Sequence, residues 1–192
     1  MAITDPISAA DWGPARARHL LNRAGFGLNE ARVAELAALG PEAAVTRLVD
    51  FDAASPALAE PDFLIEPLGR RERMRDMVDQ GMDKDQIHLK IQEQQREERE
   101  AIEKLKGWWL ERMYTTPRPL EEKMTLFWHG HFAVSSQKVK SSQVTYYMNR
   151  TLRKHAVGNF KALTTAVGQS PAMLEYLDNR KSTKDEPNEN WA

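Results

Sequence analysis

The side chains best suited to chemistry in this sequence are imidazoles. The chain has five histidines, and two of them sit in the aromatic run LFWHGHFAVSS, Leu126 to Ser136, as His129 and His131. Neutral imidazole is both a common metal ligand and a common hydrogen-bonded interior group, so the run has two readings. On a continuous α-helix, positions two apart are separated by about 200° of rotation and point to nearly opposite sides. Two histidines on a helix that share an ion are spaced i, i+4 for that reason, whereas i and i+2 share a face on an extended strand. Gly130 lies between them and costs a helix about 1 kcal/mol relative to Ala. A break there would bring both rings to one rim. An unbroken helix would separate them, with Leu120, Met124, Phe127 and His131 forming the inward stripe and His129 lying with Glu122 and Thr125 on the polar side. His155, in LRKHAVGNF, is the third imidazole of the candidate set. Asp178, Asn179, Asn188, Glu189 and Asn190 of the closing segment are the groups able to complete a site.

Two function classes follow from that set. In the first, the chain is an enzyme with a metal-assisted hydrolytic or oxidative site. His129, His131 and His155 would hold a divalent metal ion, and His131, His155, Asp178 and Glu189 would do acid–base work. In the second, it is a non-catalytic binding or assembly module in which the same polar residues are structural and the long charged helix meets a partner.

Composition narrows the field. The 192 residues suffice for a sizeable core. With no cysteine, disulfides, thiolate nucleophiles and cysteine-ligated metal centres are excluded. Lys and Arg total 27 against 28 Asp and Glu, which argues against a whole-protein pull toward nucleic acid. No run approaches the roughly 18 apolar residues of a membrane span. The N-terminus has no basic start followed by an apolar stretch, so the expected compartment is the cytoplasm.

The elements that must position these groups are helical throughout. Pro14 opens a first helix that ends at the glycines of RAGFG. Asn29 caps a second with Val33, Leu36 and Leu39 as its stripe, and Pro41 opens a third. Residues 51–68 hold three prolines and no period, which predicts a surface loop. A helix follows between Gly69 and Gly81. Asp83 or Asp85 then caps a long charged helix over 83–114. Ile87 and Ile91 open its apolar stripe, and Ile102, Leu105, Trp109 and Met113 resume it. The middle, QEQQREERE, is polar on every face and predicts a solvated segment over 83–106 that projects from the body, supported by Arg96–Glu100, Arg99–Glu103 and Glu100–Lys104 pairs at about 0.2–0.5 kcal/mol each. TTPRPL is a turn, SSQKVKSSQ a polar break, and helices separated by Gly158 and Gly168 close the chain. The fold class expected is all-α: an irregular multi-helix domain with no substantial sheet.

Other motifs are bland. RAGFG follows no strand, so its glycines serve helix termination rather than a dinucleotide loop. Lys138, Lys140, Arg150, Arg153, Lys154 and Lys161 give residues 138–161 a basic bias, read either as a solvated helix face or as a phosphate contact. Trp108 and Trp109 read as core anchors.

The motifs HLLNRAGFG, WWLERMYTTPRPLEEKMTLFWHGHFA, LRKHAVGNFKAL, SPAMLEYLDN and PNENWA, in that order, resemble the bacterial family catalogued as domain of unknown function 1800. The resemblance covers most of the chain, with 69–107 the part that matches least. It places His129 and His131 on the Trp-His-x-His-Phe motif, His155, Asn159 and Phe160 on the Leu-Arg-x-His-Ala-x-Gly-Asn-Phe motif, and Asp178 and Asn179 on the Tyr-Leu-Asp-Asn motif. Asn188, Glu189 and Asn190 fall on the Asn-Glu-Asn motif. It supplies no reaction. In the family, Asn-Glu-Asn leads into a further helix and most of a second half. The resemblance therefore implies that residues 1–192 are the truncated N-terminal part of a larger domain. Residues 120–178 would then expose apolar surface for the missing C-terminal half or a partner protein. It also implies that many relatives are exported.

Overall fold

The computed structural model describes residues 6–27, 29–50, 59–67, 69–179 and 182–188. Among them there are ten α-helices and no strand: α1 Pro14–Ala24, α2 Glu30–Leu39, α3 Pro41–Val49, α4 Arg70–Asp79, α5 Lys84–Thr115, α6 Pro119–His131, α7 Ser136–Val139, α8 Ser142–His155, α9 Phe160–Gly168 and α10 Pro171–Tyr176. The all-α expectation holds. Most of the 51–68 loop, 51–58 with 68, lies outside the described residues, and 59–67 has no regular secondary structure.

Local chemistry sets the helix ends. Asn29 Oδ1 accepts from the Ala31 and Arg32 amides at the start of α2. The Gln86 amide donates to Asp83 Oδ1 at 2.8 Å, and the Asp83 amide donates back to Gln86 Oε1 at 2.9 Å. This reciprocal capping box starts α5 and selects Asp83 over Asp85. Ser141, Asn159 and Ser170 cap α8, α9 and α10 through their side-chain oxygens. The polar break around SSQKVKSSQ contains the short helix α7, which stops at Lys140 in the left-handed region (φ 55°).

The chain forms two compact units, residues 1–59 with 110–127 and residues 60–109 with 128–192. In the first, α1, α2 and α3 pack around Ala17, Leu21, Ala24, Val33, Leu36, Ala44 and Leu48. Trp12 flanks this core and donates its indole N–H to the Leu36 and Ala37 carbonyls (3.3 and 3.1 Å) at the C-terminal end of α2. Arg32 donates to the Thr116 carbonyl and Lys123 to the Gly25 carbonyl, tying in the residues between α5 and α6 and the start of α6. Gly25 is extended (φ −153°), so its role is not a left-handed turn. A Cβ there would lie 3.1 Å from the Leu21 carbonyl oxygen and 3.1 Å from Pro119 Cβ. Glycine lets two segments approach, beyond the helix termination expected of it.

In the second unit, Met148 and Leu152 of α8 pack with Leu163, Val167 and Ala172, and Trp128, Phe132, Val134, Val144 and Met173 close over them. The middle of α5 meets α8 through Glu98, whose carboxylate accepts from the Ser142 amide at 2.8 Å. The expected Arg96–Glu100 pair is present at 3.8 Å, while Glu103 pairs with Lys106 at 2.6 Å.

Candidate functional site

Gly130 lies inside α6, which runs to His131 without interruption. The two histidines consequently face different surroundings. His129 is half-buried in the second unit. Its ring lies against Trp109, centroids 4.7 Å apart at 46°, and its Nε2 is 3.1 Å from Asn149 Nδ2. His131 is exposed and meets ring edges, with centroids 5.7 Å from Trp128, 4.7 Å from Phe132 and 6.5 Å from Phe160. The expected inward stripe of α6 is corrected: Glu122 and Thr125 are fully buried, whereas Phe127 and His131 are exposed. Apolarity misidentified the face because in the first unit Glu122 turns inward onto the Arg112 guanidinium. The carboxylate is tolerated in the interior because a guanidinium partner is buried with it.

The His129 contacts fix a protonation state. Arg153 Nη2 donates to Asn149 Oδ1 at 2.5 Å. A guanidinium can only donate, so the amide oxygen must face it and the amide NH₂ must face His129. Nε2 of His129 is therefore an acceptor, and the ring is neutral with its proton on Nδ1. Arg153 is itself placed by Trp108, 5.7 Å above the indole, and Trp108 meets Tyr146 edge-on at 5.7 Å. Burial pushes the Tyr146 hydroxyl pKa up; repulsion from Glu60 and a hydrogen bond to it add to this, and Arg150 and Arg153 partly oppose it. Asn149, Arg153 and Trp109 were not singled out as partners of a histidine in the sequence. The available signal was the i, i+4 spacing of Asn149 and Arg153 on α8.

The other candidates have separate settings. His155 is half-buried at the end of α8, where its carbonyl accepts from the Gly158 amide at 3.0 Å. Asp178 has a left-handed backbone (φ 57°), one that Asp tolerates better than most residues. Lys138 donates to Asp178 Oδ2 at 2.7 Å and to the Tyr176 carbonyl at 2.6 Å. Asn188 donates to the Leu177 carbonyl at 2.5 Å. An ammonium and an amide thus satisfy carbonyls at the end of α10, which favours positive charge. Asn159 is the cap of α9. Glu189 and Asn190 lie outside the described residues. Among the described residues no three His, Asp or Glu side chains are grouped so that they could hold a metal ion, and no helix is long and apolar enough to cross a membrane.

Fold and site together define an all-α protein in which Asn159, Asp178 and Asn188 satisfy groups at helix ends. The chain belongs to the family described as Protein of unknown function (DUF1800), whose sequence model matches residues 19–192. No curated protein and no solved structure matches it.

Proposed function

We propose that the chain is a non-catalytic binding or assembly module in which the signature polar residues hold the helices in place and the long charged helix α5 meets a partner protein. One observation carries this reading: the His129 imidazole is committed to the fold, stacked on Trp109 and accepting from an Asn149 amide that Arg153 orients. Asp178 and Asn188 support it, since their side chains serve the end of α10. The competing reading is a metal-assisted hydrolytic or oxidative site drawing on His129, His131 and His155 with Asp178 and Glu189. What favours that reading is the concentration of three imidazoles between positions 129 and 155 of one unit.

Elemental analysis of the full chain, purified without a histidine tag, separates the two. The module predicts no stoichiometric metal, and a lower melting temperature for His129→Ala. One equivalent of a divalent ion that is lost in His131→Ala or His155→Ala would overturn it.

A further inference from the structure

The second unit carries an unusual charge distribution. From Trp128 to Leu174 there are six Lys and Arg residues and no Asp or Glu. Two of these cations already have acidic partners, Lys138 with Asp178 and Arg150 with Glu60. Lys140 has none among the described residues, and it borders a cleft of about 480 Å³ between α5 and α7. Gln95, Arg99, Ile102 and Lys106 line one side of this cleft, and their spacing of four, three and four puts them on a single face of α5. Ser136, Gln137 and Lys140 line the other side. Ile102, 7% exposed, supplies an apolar floor.

We propose that this cleft binds a small organic molecule carrying a phosphate-type dianion. The lining holds three cations, Arg99, Lys106 and Lys140, against one carboxylate, Glu103, giving a net charge of +2. Glu103 is taken up by Lys106, and Arg99 has no ion-pair partner among the described residues. A phosphate monoester carries about −1.5 to −2 at neutral pH, which matches that surplus. The Arg99 guanidinium fork, with the Lys140 ammonium lining the same cleft, suits its oxygens. The volume lies within the roughly 300–1,000 Å³ of small-molecule sites and leaves room for an organic body over Ile102, with the Gln95 and Gln137 amides and the Ser136 hydroxyl at hand for its polar groups. Lys140 carries its ammonium on the left-handed residue (φ 55°) that ends α7. None of these residues belongs to the histidine set, so the binding measurement below and the metal analysis above can fail independently of one another.

Isothermal titration of the full chain at constant ionic strength tests it with three probes: phenyl phosphate, inorganic phosphate and benzoate. Phenyl phosphate should bind saturably at one site, and at least about 10-fold more tightly than benzoate, which has the ring but a single charge. Arg99→Gln combined with Lys140→Asn, the latter chosen because Asn tolerates the left-handed backbone, should weaken phenyl phosphate by a similar factor. Glu103→Gln should tighten it, because the lining charge rises. Arg75→Gln, on the exposed face of α4, is the control and should leave binding unchanged. Absence of saturable phosphate binding, equal affinity for benzoate, or an Arg99/Lys140 double variant that binds like the parent would overturn the assignment.

Discussion

Glu122 is fully buried, and its carboxylate accepts a hydrogen bond from Nε of Arg112, itself 7% exposed. Two residues separated by the TTPRPL turn thus form an ion pair in the interior of the first unit, with Glu121 3.8 Å from the same guanidinium. Removing one partner of such a pair strands a charge, at a cost of about 3–5 kcal/mol, while replacing both with apolar residues of similar volume is often close to neutral. Glu122→Leu should therefore lower the urea unfolding free energy by about that amount. Arg112→Met added to it should restore much of the loss. Equal destabilisation in the single and double variants would show that the pair's charge is not what matters.

The Asn149–His129 contact predicts a tautomer. Nitrogen-15 NMR at neutral pH should show His129 Nε2 unprotonated and Nδ1 carrying the proton. Asn149→Leu removes the donor to Nε2 and the acceptor for Arg153, and should cost about 1–3 kcal/mol, because both partners lose a hydrogen bond in a half-buried setting. A His129 ring found protonated on Nε2 would refute the assignment.

Two glycines should respond oppositely to alanine. A Cβ at Gly130 meets nothing within 4 Å, and the helix continues through it. Gly130→Ala should stabilise the chain by up to about 1 kcal/mol. Gly25→Ala forces Cβ against Pro119 and the Leu21 carbonyl, and should cost about 1–3 kcal/mol. Thermal melts of the two variants shifting in the same direction would contradict this.

Tyr146 gives the chain an alkaline weakness. Its hydroxyl pKa is raised from the ordinary 10.0 in the folded state, chiefly by burial. The folded state then holds the proton more tightly than the unfolded state. The contribution of Tyr146 to stability is fully present below pH 10 and falls away as pH rises from there through the folded-state value. Tyr146→Phe should flatten that fall, measured as unfolding free energy against pH; an unchanged slope would remove Tyr146 as its cause.

Helix ends were legible in the sequence because they are local. Asn29 and Ser170 cap the helices they immediately precede, and a cap needs only its own next three residues. The inward face of α6 was not legible, because what admits Glu122 to the interior is an arginine ten positions back. The same applies to the candidate site. The spacing of His129 and His131 correctly posed the question of Gly130, but the partners that define His129 come from α5 and α8. No periodicity within α6 announces them. In sequence Asp178 offers a carboxylate to complete the site; in the fold it pairs with Lys138, forty positions earlier.

The acid-free stretch from Lys123 to Leu174 has a practical consequence for peptide mapping. A glutamate-specific endoprotease has no site between Glu122 and Glu175, so complete digestion of unfolded chain delivers His129, His131 and His155 on one peptide. Histidine-directed footprinting of all three imidazoles can be read from that single fragment. Its N-terminal cut requires access to Glu122, which is fully buried in the native fold, so the fragment's rate of release reports opening of the first unit.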